Sequence, residues 1–204
     1  TGQNIYDMFV KSLGSILQVD ESGKTVLDEN GQPLLEPSGG FLQVSGARVY
    51  YDTTLPAEKR ILSIDIFDPE TGTYKPLNTN ETYYLVTNDF LAAGGDGYTM
   101  LGGPREEGPS MDVAFADYLA KADLTAYAVI NPNSRAISIS STKDTDGDGY
   151  KDIEEIKNAL WILENDSDIE DVETAIAEGY FDDDKTIVYD NRQKGFYVTH
   201  RKYD

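Results

Sequence analysis

A glycine-rich turn near the middle of the chain combines two side chains that could recognise a ligand. It spans residues 88–98, with the sequence NDFLAAGGDGY, and follows a strand-like segment. Its glycines permit positive φ and a close approach of the backbone to a ligand. Phe90 offers a flat apolar face and Asp96 a carboxylate acceptor, as a nucleoside needs for its base and ribose hydroxyls. The pattern alone is also typical of a tight turn with a core Phe and a capping Asp. The predicted binding residues are Asn88, Phe90, Gly94, Gly95 and Asp96.

A second chemical pattern is the twelve-residue stretch 144–155, DTDGDGYKDIEE. Its acidic side chains fall at positions 1, 3, 5, 9 and 12 of the stretch, a glycine occupies position 6, and a tyrosine supplies its carbonyl at position 7. This is the ligand order of an EF-hand loop, which wraps six to eight oxygens around Ca²⁺. The alternative is an acidic, solvated loop without metal. The predicted ligands are Asp144, Asp146, Asp148, Tyr150, Asp152 and Glu155.

Composition excludes several other kinds of site. The 204 residues contain no Cys and one His, His200, which removes disulfide frameworks, thiolate zinc sites, cysteine nucleophiles and most multi-histidine centres. Lys and Arg number 17 against 37 Asp and Glu, so the formal charge is −20. Such a surface repels nucleic-acid polymers and anionic membranes. No apolar run approaches the roughly 20 residues of a membrane span, so we expect no membrane insertion.

The acidic charge is concentrated toward the end of the chain. Residues 144–204 carry 18 acidic and 7 basic side chains, a net charge of −11 in 61 residues. The polar stretch 140–143 precedes them and marks a border. We therefore predict two units, residues 1–141 and an acidic module of residues 142–204. Thr1 is not a start methionine, which suggests that the chain is cut from something longer.

Hydrophobic periodicity places both patterns on secondary structure. In the first unit, helices are predicted over residues 4–17 and 111–122, and strands over 41–51, 60–67, 82–87, 126–130 and 136–139. Residues 20–40 are predicted to form an inserted surface hairpin. In the second unit, a helix leaves the acidic loop and continues to about Leu163, a further helix covers 169–177, and a hairpin pairs 186–189 with 196–199. The first unit therefore reads as α+β with a mostly antiparallel or mixed sheet.

Two motifs in order resemble the C-terminal domain of the 5'-nucleotidase family. They are the run 40–52, GFLQVSGARVYYD, and the run 87–98 that contains the glycine-rich turn. The family also includes bacterial UDP-sugar hydrolases and 2',3'-cyclic nucleotide phosphodiesterases. The likeness covers roughly residues 1–140, apart from the insertion. The acidic loop is similar to the calcium loops of bacterial dockerins and thrombospondin-type repeats.

The resemblance implies roles for particular residues. In the family this domain holds the nucleoside, while a separate N-terminal metallophosphatase domain holds two divalent metals and hydrolyses the substrate. The implied base-stacking residue is Phe90, and the implied ribose-binding residue is Asp96. The family's second stacking Phe, in a Pro-Phe-Gly turn, and its Asn-Gly-Gly-Gly-Ile-Arg loop do not occur here. In the family pattern the position of Phe41 opens a buried strand, so Phe41 is expected to belong to the core rather than to the base site.

The resulting expectation is an α+β, 5'-nucleotidase C-terminal-domain-like mixed sheet with flanking helices, followed by a small acidic calcium-binding α/β appendage. Its function would be nucleoside recognition within a bacterial, secreted or cell-surface phosphohydrolase, with structural Ca²⁺. The expected partners are a nucleoside or nucleotide and the N-terminal metallophosphatase domain of the same parent chain, which would hold the catalytic divalent metals. The fragment alone would be inactive. The alternative is a cell-surface structural or adhesion module that uses the same scaffold without catalysis.

Overall fold

The computed structural model describes residues 1–28, 31–127, 135–144, 147, 149–165, 185–190 and 195–200. The helices and strands are α1 (Gly2–Ser12), β1 (Ala47–Tyr51), β2 (Ile61–Asp68), β3 (Thr73–Pro76), α2 (Asp89–Ala92), α3 (Met111–Leu119), β4 (Ala136–Ser138), α4 (Asp152–Asn165), β5 (Lys185–Asp190) and β6 (Gly195–His200). Short 3₁₀ turns cover Ala57–Lys59, Gly95–Gly97, Thr99–Leu101 and Leu124–Tyr127.

The central sheet has four strands in the order β3-β2-β1-β4. β1 pairs antiparallel with β2 and parallel with β4, and β2 pairs antiparallel with β3. The predicted mixed sheet of an α+β fold is thus confirmed. β3 was not predicted from the sequence. It forms a hairpin with β2, and the Lys75 ammonium pairs with the Asp68 carboxylate at the end of that hairpin. This hydrogen bond lowers the pKa of Asp68 to about 2.

One face of the sheet packs against α1. Met8, Phe9 and Leu13 are buried together with Val49 of β1 and Ile64 of β2. Thr1 caps the helix by accepting a hydrogen bond from the Asn4 amide. These contacts bury the apolar stripe that the sequence predicts for this helix.

α1 ends at Ser12, short of the end at residue 17 that the sequence predicts. Arg60, only 5% exposed, donates from Nη1 to the carbonyl oxygens of Leu13 and Ser15, at 2.7 and 2.6 Å. Carbonyls at a helix C-terminus lack intrahelical partners, and a guanidinium satisfies them well. The chain then turns away, because Leu17 pairs with Leu35 in an antiparallel bridge.

The insertion forms a small three-segment meander. Val19 pairs with Thr25 and Leu27 pairs with Pro33, both antiparallel. The predicted hairpin between 25–27 and 33–35 is confirmed, and residues 17–19 add a segment that the sequence did not indicate. Asp28 closes one turn by accepting a hydrogen bond from the Gln32 amide at 2.8 Å.

Two predicted strands differ from the structure. The strand expected over 41–51 begins only at Ala47, because the preceding residues wrap over the core. There, the Ser12 hydroxyl accepts a hydrogen bond from the Leu42 amide at 2.9 Å, and Phe41 packs half-buried against the core cluster. The strand expected over 82–87 is absent, since that segment pairs with no strand in the part of the chain that is described.

The other face of the sheet carries α4. Tyr50 alternates with Val49 along β1 and therefore points to the opposite side, where it packs with Ile139 and Leu160. The Asp52 carboxylate ties the same region together by accepting a hydrogen bond from the Ser141 amide at 2.8 Å. The helix that follows the acidic loop thus shares a hydrophobic cluster with the sheet. The border near residue 141 stays a prediction.

The remaining predictions concern the end of the chain. The hairpin expected at 186–189 and 196–199 is confirmed as β5 and β6, which pair antiparallel. Helix α3 is confirmed, although it ends at Leu119 rather than at 122. The helix predicted at 169–177 and most of the strand predicted at 126–130 lie outside the described residues.

Candidate functional site

The glycine-rich turn is built on a short helix whose start is fixed by a side chain. Asn88 is the N-cap of α2 and accepts a hydrogen bond from the Leu91 amide at 2.8 Å. The helix ends after one turn at Gly94, which adopts a left-handed conformation with φ of 87°. A side chain would be strained there, so glycine suits this helix end. Asn88 and Gly94 thus set the position of Phe90 between them.

Phe90 and Gly95 are in direct contact. A Cβ atom placed on Gly95 would lie 2.5 Å from Cδ1 and Cε1 of the Phe90 ring. Only a residue without a side chain allows the ring to lie against the backbone in this way. Phe90 nevertheless remains 56% exposed. The ring therefore has one side supported by the turn and another open to a flat ligand.

Asp96 is the next residue of the turn, and its backbone is unusual. It has φ of 52° and ψ of 20°, and among the described residues it is the non-glycine position with positive φ. Asp tolerates the left-handed region better than most residues, at a cost of about 1 kcal/mol or more. Its side chain is exposed, and its Cβ lies 3.9 Å from the position that a Cβ on Gly40 would take. The carboxylate is thus presented to solvent beside the loop of Gly40.

Buried Tyr98 anchors the turn to that loop. Its hydroxyl donates to the Gly40 carbonyl oxygen, and its side chain is 1% exposed. Burial raises the pKa of Tyr98, the negative charge of Asp96 raises it further, and a hydrogen bond with Ser12 partly opposes both. The glycine-rich turn, α1 and the loop at Gly40 therefore form one connected structure.

A cavity of about 360 Å³ opens beside this structure. Lys11 lies at its edge with Nζ 6.0 Å from the centre of the Tyr98 ring. Its lining residues include Lys11, Ser15, Ser38, Gly40 and Glu58. The sequence did not single out Lys11, Ser38 or Glu58, because lone polar residues at scattered positions carry no spacing signal. The glycine pair 39–40 before the FLQ run was the available cue.

The acidic loop is described only in part, since residues 145, 146 and 148 lie outside the described residues. Asp144 accepts hydrogen bonds from the Gly147 and Gly149 amides, at 2.8 and 2.9 Å, through its two carboxylate oxygens. Gly149 has φ of 94°, as the sharp turn at position 6 requires. α4 then begins at Asp152, with Glu154 and Glu155 in its first turn. In the portion described, no three His, Cys, Asp or Glu side chains converge as a metal cluster.

Among the described residues, no helix has the length and hydropathy needed to cross a bilayer.

Comparison with known proteins gives consistent similarities. The chain is 44% identical over 66 residues to a 5'-nucleotidase of Diplobatis ommata, covering 31% of this chain and 11% of that protein. It is 36% identical over 121 residues to an apyrase of Tabanus yao, covering 57% and 20%. It is 34% identical over 113 residues to a trifunctional nucleotide phosphoesterase protein of Bacillus subtilis, covering 53% and 8%. The chain thus spans no more than a fifth of the length of these three relatives.

Among solved structures, a 5'-nucleotidase precursor from Thermus thermophilus aligns with 70% of this chain and 24% of its own. The sequence identity is 24% and the TM-score 0.46.

The family described as "5'-nucleotidase, C-terminal domain" matches residues 1–103, just over half of the chain. That range ends earlier than the resemblance predicted to residue 140, and it includes both motifs on which the prediction depended. The chain therefore belongs to the 5'-nucleotidase C-terminal domain family.

Proposed function

We propose that this chain is the nucleoside-recognising part of a nucleotide phosphohydrolase. The observation that carries the proposal is the Phe90 ring, which lies against Gly95 on one side and is open on another. An aromatic ring held in this way offers a stacking surface that is already ordered before the base arrives. Membership of the family and the names of the relatives support a nucleotide as substrate.

The proposed role of Asp96 is to accept hydrogen bonds from the ribose hydroxyls. The Asp96 side chain is exposed, and its backbone adopts a left-handed conformation that is strained for a residue other than glycine. Strain of this kind concentrates at functional sites, so an observed outlier supports a hypothesis of function. A carboxylate also makes stronger hydrogen bonds to hydroxyls than a neutral acceptor does.

Hydrolysis would take place elsewhere in the parent protein. We propose an N-terminal metallophosphatase domain of the same polypeptide, holding two divalent metals that bind and polarise the phosphoryl group. The 204 residues themselves would bind a nucleoside weakly and would not hydrolyse nucleotides. One stacking face contributes about 1–3 kcal/mol, so the absence of a second face should keep binding weak.

We propose a second, structural role for the acidic loop, namely binding of Ca²⁺. The donor set suits this ion: five carboxylates and one carbonyl at the spacing of an EF-hand loop. The contacts of Asp144 with Gly147 and Gly149 curl the described part of the loop toward the first ligand position. Asp144, Asp146, Asp148, Tyr150, Asp152 and Glu155 would hold the ion and fix the start of α4. Because such loops suit extracellular calcium levels, we further propose a secreted or cell-surface, bacterial parent.

Nucleoside binding can be tested by titrating the ¹⁵N-labelled chain with adenosine. We expect saturable shifts at the amides of the turn 88–98, with a dissociation constant on the order of millimolar. Phe90→Leu should weaken binding several-fold. Phe115→Leu is the matched control, because Phe115 is similarly exposed, at 60%, but lies on α3. Equal effects of the two substitutions, or no shifts in the turn, would instead favour a surface scaffold without nucleoside binding.

A further inference from the structure

The cavity beside the glycine-rich turn presents two opposite charges that the proposed function does not use. Its volume of about 360 Å³ lies in the range of small-molecule sites. Lys11 reaches it from α1, and Glu58 reaches it from the 3₁₀ turn Ala57–Lys59. Both residues are exposed, and within the described part of the chain they form no ion pair with one another. The cavity therefore offers a cation and an anion that are held apart.

Hydrogen-bond donors accompany the cation. The Lys11 side chain lies along the glycine-rich turn, with Cε 3.1 Å and Nζ 3.8 Å from the position that a Cβ on Gly97 would take. Ser15 and Ser38 line the same cavity. The Ser38 hydroxyl accepts a hydrogen bond from the Gly40 amide at 3.2 Å, which leaves its proton available to a ligand. One ammonium and two hydroxyls are donors that suit a carboxylate or another anionic group.

The second cation near the cavity is already engaged. Arg60 is 5% exposed and donates from Nη1 to the carbonyls of Leu13 and Ser15, at 2.7 and 2.6 Å, and from Nε to the Leu55 carbonyl at 3.2 Å. Burial lowers the pKa of Arg60, and the negative charge of Glu58 opposes this shift. Arg60 thus holds the end of α1 close to the segment that carries Glu58, and Lys11 is left as the cation that a ligand can reach.

Charge decides which class of small molecule fits the cavity. A simple anion would pair with Lys11, but it would be repelled by the Glu58 carboxylate and by a molecule of formal charge −20. A simple cation would pair with Glu58, but it would be repelled by Lys11 and Arg60. A zwitterion pairs with both side chains and adds no net charge, so it avoids both repulsions.

We propose that the cavity binds a small zwitterion of the amino-acid class. Its carboxylate would pair with Lys11 and accept hydrogen bonds from the hydroxyls of Ser15 and Ser38. Its ammonium group would pair with Glu58. This site adjoins the glycine-rich turn but does not use Phe90, so the inference goes beyond the proposed function and does not depend on it.

Titration of the ¹⁵N-labelled 204-residue chain with glycine, β-alanine and γ-aminobutyrate tests the site, because these three zwitterions differ in the separation of their charges. We expect saturable shifts at the amides of Lys11, Ser15, Ser38 and Glu58 with at least one of them, and a dissociation constant on the order of millimolar. Propionate and propylamine are the controls with a single charge, and each should bind at least about tenfold more weakly. The proposal is overturned if no zwitterion gives saturable shifts, or if propionate or propylamine binds as tightly as the best zwitterion.

Substitutions that remove one charge at a time test the assignment of each end of the ligand. Glu58→Gln should abolish the preference for the zwitterion over propionate, because the ammonium group then has no carboxylate to meet. Lys11→Met keeps the apolar stem and should abolish the preference for the zwitterion over propylamine. Lys59→Met is the matched control, since Lys59 is exposed and next to Glu58 but does not line the cavity, and it should keep both preferences. A preference that survives in Glu58→Gln or in Lys11→Met would contradict the proposal.

Competition with adenosine separates the cavity from the proposed nucleoside site. Adenosine at several times its dissociation constant should leave the affinity for the zwitterion unchanged within about twofold. Displacement of the zwitterion by adenosine would assign the cavity to the nucleoside site and would overturn this inference. If adenosine causes no shifts in the turn 88–98 while the zwitterion still binds, the proposed function fails and the zwitterion site holds.

Discussion

Lys157 of α4 places its ammonium nitrogen 3.6 Å from the carboxylate of Asp65 on β2. The same nitrogen donates to the Ser63 hydroxyl at 3.1 Å and lies 5.1 Å from the centre of the Tyr50 ring. Asp65 is 7% exposed, and burial raises its pKa, although the charges of Lys157 and Arg48 pull the pKa down. This largely buried ion pair thus holds α4, the helix that follows the acidic loop, against the central sheet.

Replacing Lys157 with Met should destabilise the fold in a pH-dependent way. The apolar stem would be kept, but Asp65 would lose one of the two cations that act on it, and breaking a buried pair is costly. We expect a loss of about 2 kcal/mol at pH 7, measured by urea unfolding. Because the folded pKa of Asp65 is raised above 3.8, its protonation favours the folded state, and that contribution is lost as the pH rises through the folded pKa. A protonated Asp65 has no charge to pair with Lys157, so the deficit of the variant should shrink as the pH falls toward 4.

Lys59→Met is the control for this measurement, because Lys59 is exposed at the end of a 3₁₀ turn. It should change stability by less than about 0.5 kcal/mol at either pH. A deficit for Lys157→Met that is equal at pH 4 and pH 7 would show that the ion pair with Asp65 does not contribute.

The sequence predicted most elements of the first unit, and its errors have a common physical cause. Helix α1 and strands β1, β2 and β4 follow from local periodicity, which burial on one face enforces. The strand predicted at 82–87 has the right residues, but pairing requires a neighbour, and composition does not reveal whether one is present. The early end of α1 depends on Arg60, which is distant in sequence and reaches Leu13 and Ser15 only in the fold.

The candidate site was predictable to a similar extent. The motif located the turn, and glycine chemistry indicated a positive φ, which Gly94 adopts. The contact between Phe90 and Gly95 and the attachment of Tyr98 to Gly40 are tertiary relationships that no spacing rule contains. For the same reason, the role of Lys157 in holding α4 could not be inferred from an isolated Lys on a helix.

Gly95→Ala should weaken nucleoside binding while leaving the fold largely intact. The new Cβ would lie 2.5 Å from the Phe90 ring, so the ring must move. Since Phe90 is half exposed, it can swing outward at little cost, and unfolding free energy should fall by about 1 kcal/mol or less. Adenosine affinity should fall several-fold, because the stacking surface is no longer held in place.

Gly39→Ala is the matched control, because a Cβ on Gly39 would meet nothing within 4 Å. Adenosine titration followed by NMR, together with urea unfolding, compares the two variants. Unchanged adenosine affinity in Gly95→Ala would show that the position of the Phe90 ring is irrelevant to binding.

Calcium should raise the melting temperature of the chain. An ion bound only by the folded state stabilises it by RT ln(1 + [L]/Kd), or about 2.7 kcal/mol at a hundred times Kd. The single Trp, Trp161, lies on α4 six residues after Glu155, so its fluorescence should change on binding. Asp148→Ala combined with Glu155→Gln should abolish both responses. If calorimetry shows no calcium uptake at millimolar concentration, or equal uptake by the double variant, the loop is not a calcium site.

Asp96→Asn should impair recognition of ribose without disturbing the turn. Asn tolerates the left-handed backbone as well as Asp does, so the unfolding free energy should change by less than about 0.5 kcal/mol. Asp96→Ala should in addition lose about 1 kcal/mol of stability, because Ala is strained at φ of 52°.

The functional effect of Asp96 is best separated with two substrates in the parent protein. AMP has ribose hydroxyls to lose, while p-nitrophenyl phosphate has none. A hydrogen bond to a charged acceptor contributes about 1.5–3 kcal/mol, and a neutral amide restores part of it, so KM for AMP should rise about tenfold in Asp96→Asn. Since ribose is bound similarly before and during the reaction, kcat should change little. Hydrolysis of p-nitrophenyl phosphate should be unaffected, and an equal loss with both substrates would remove Asp96 from the recognition of ribose.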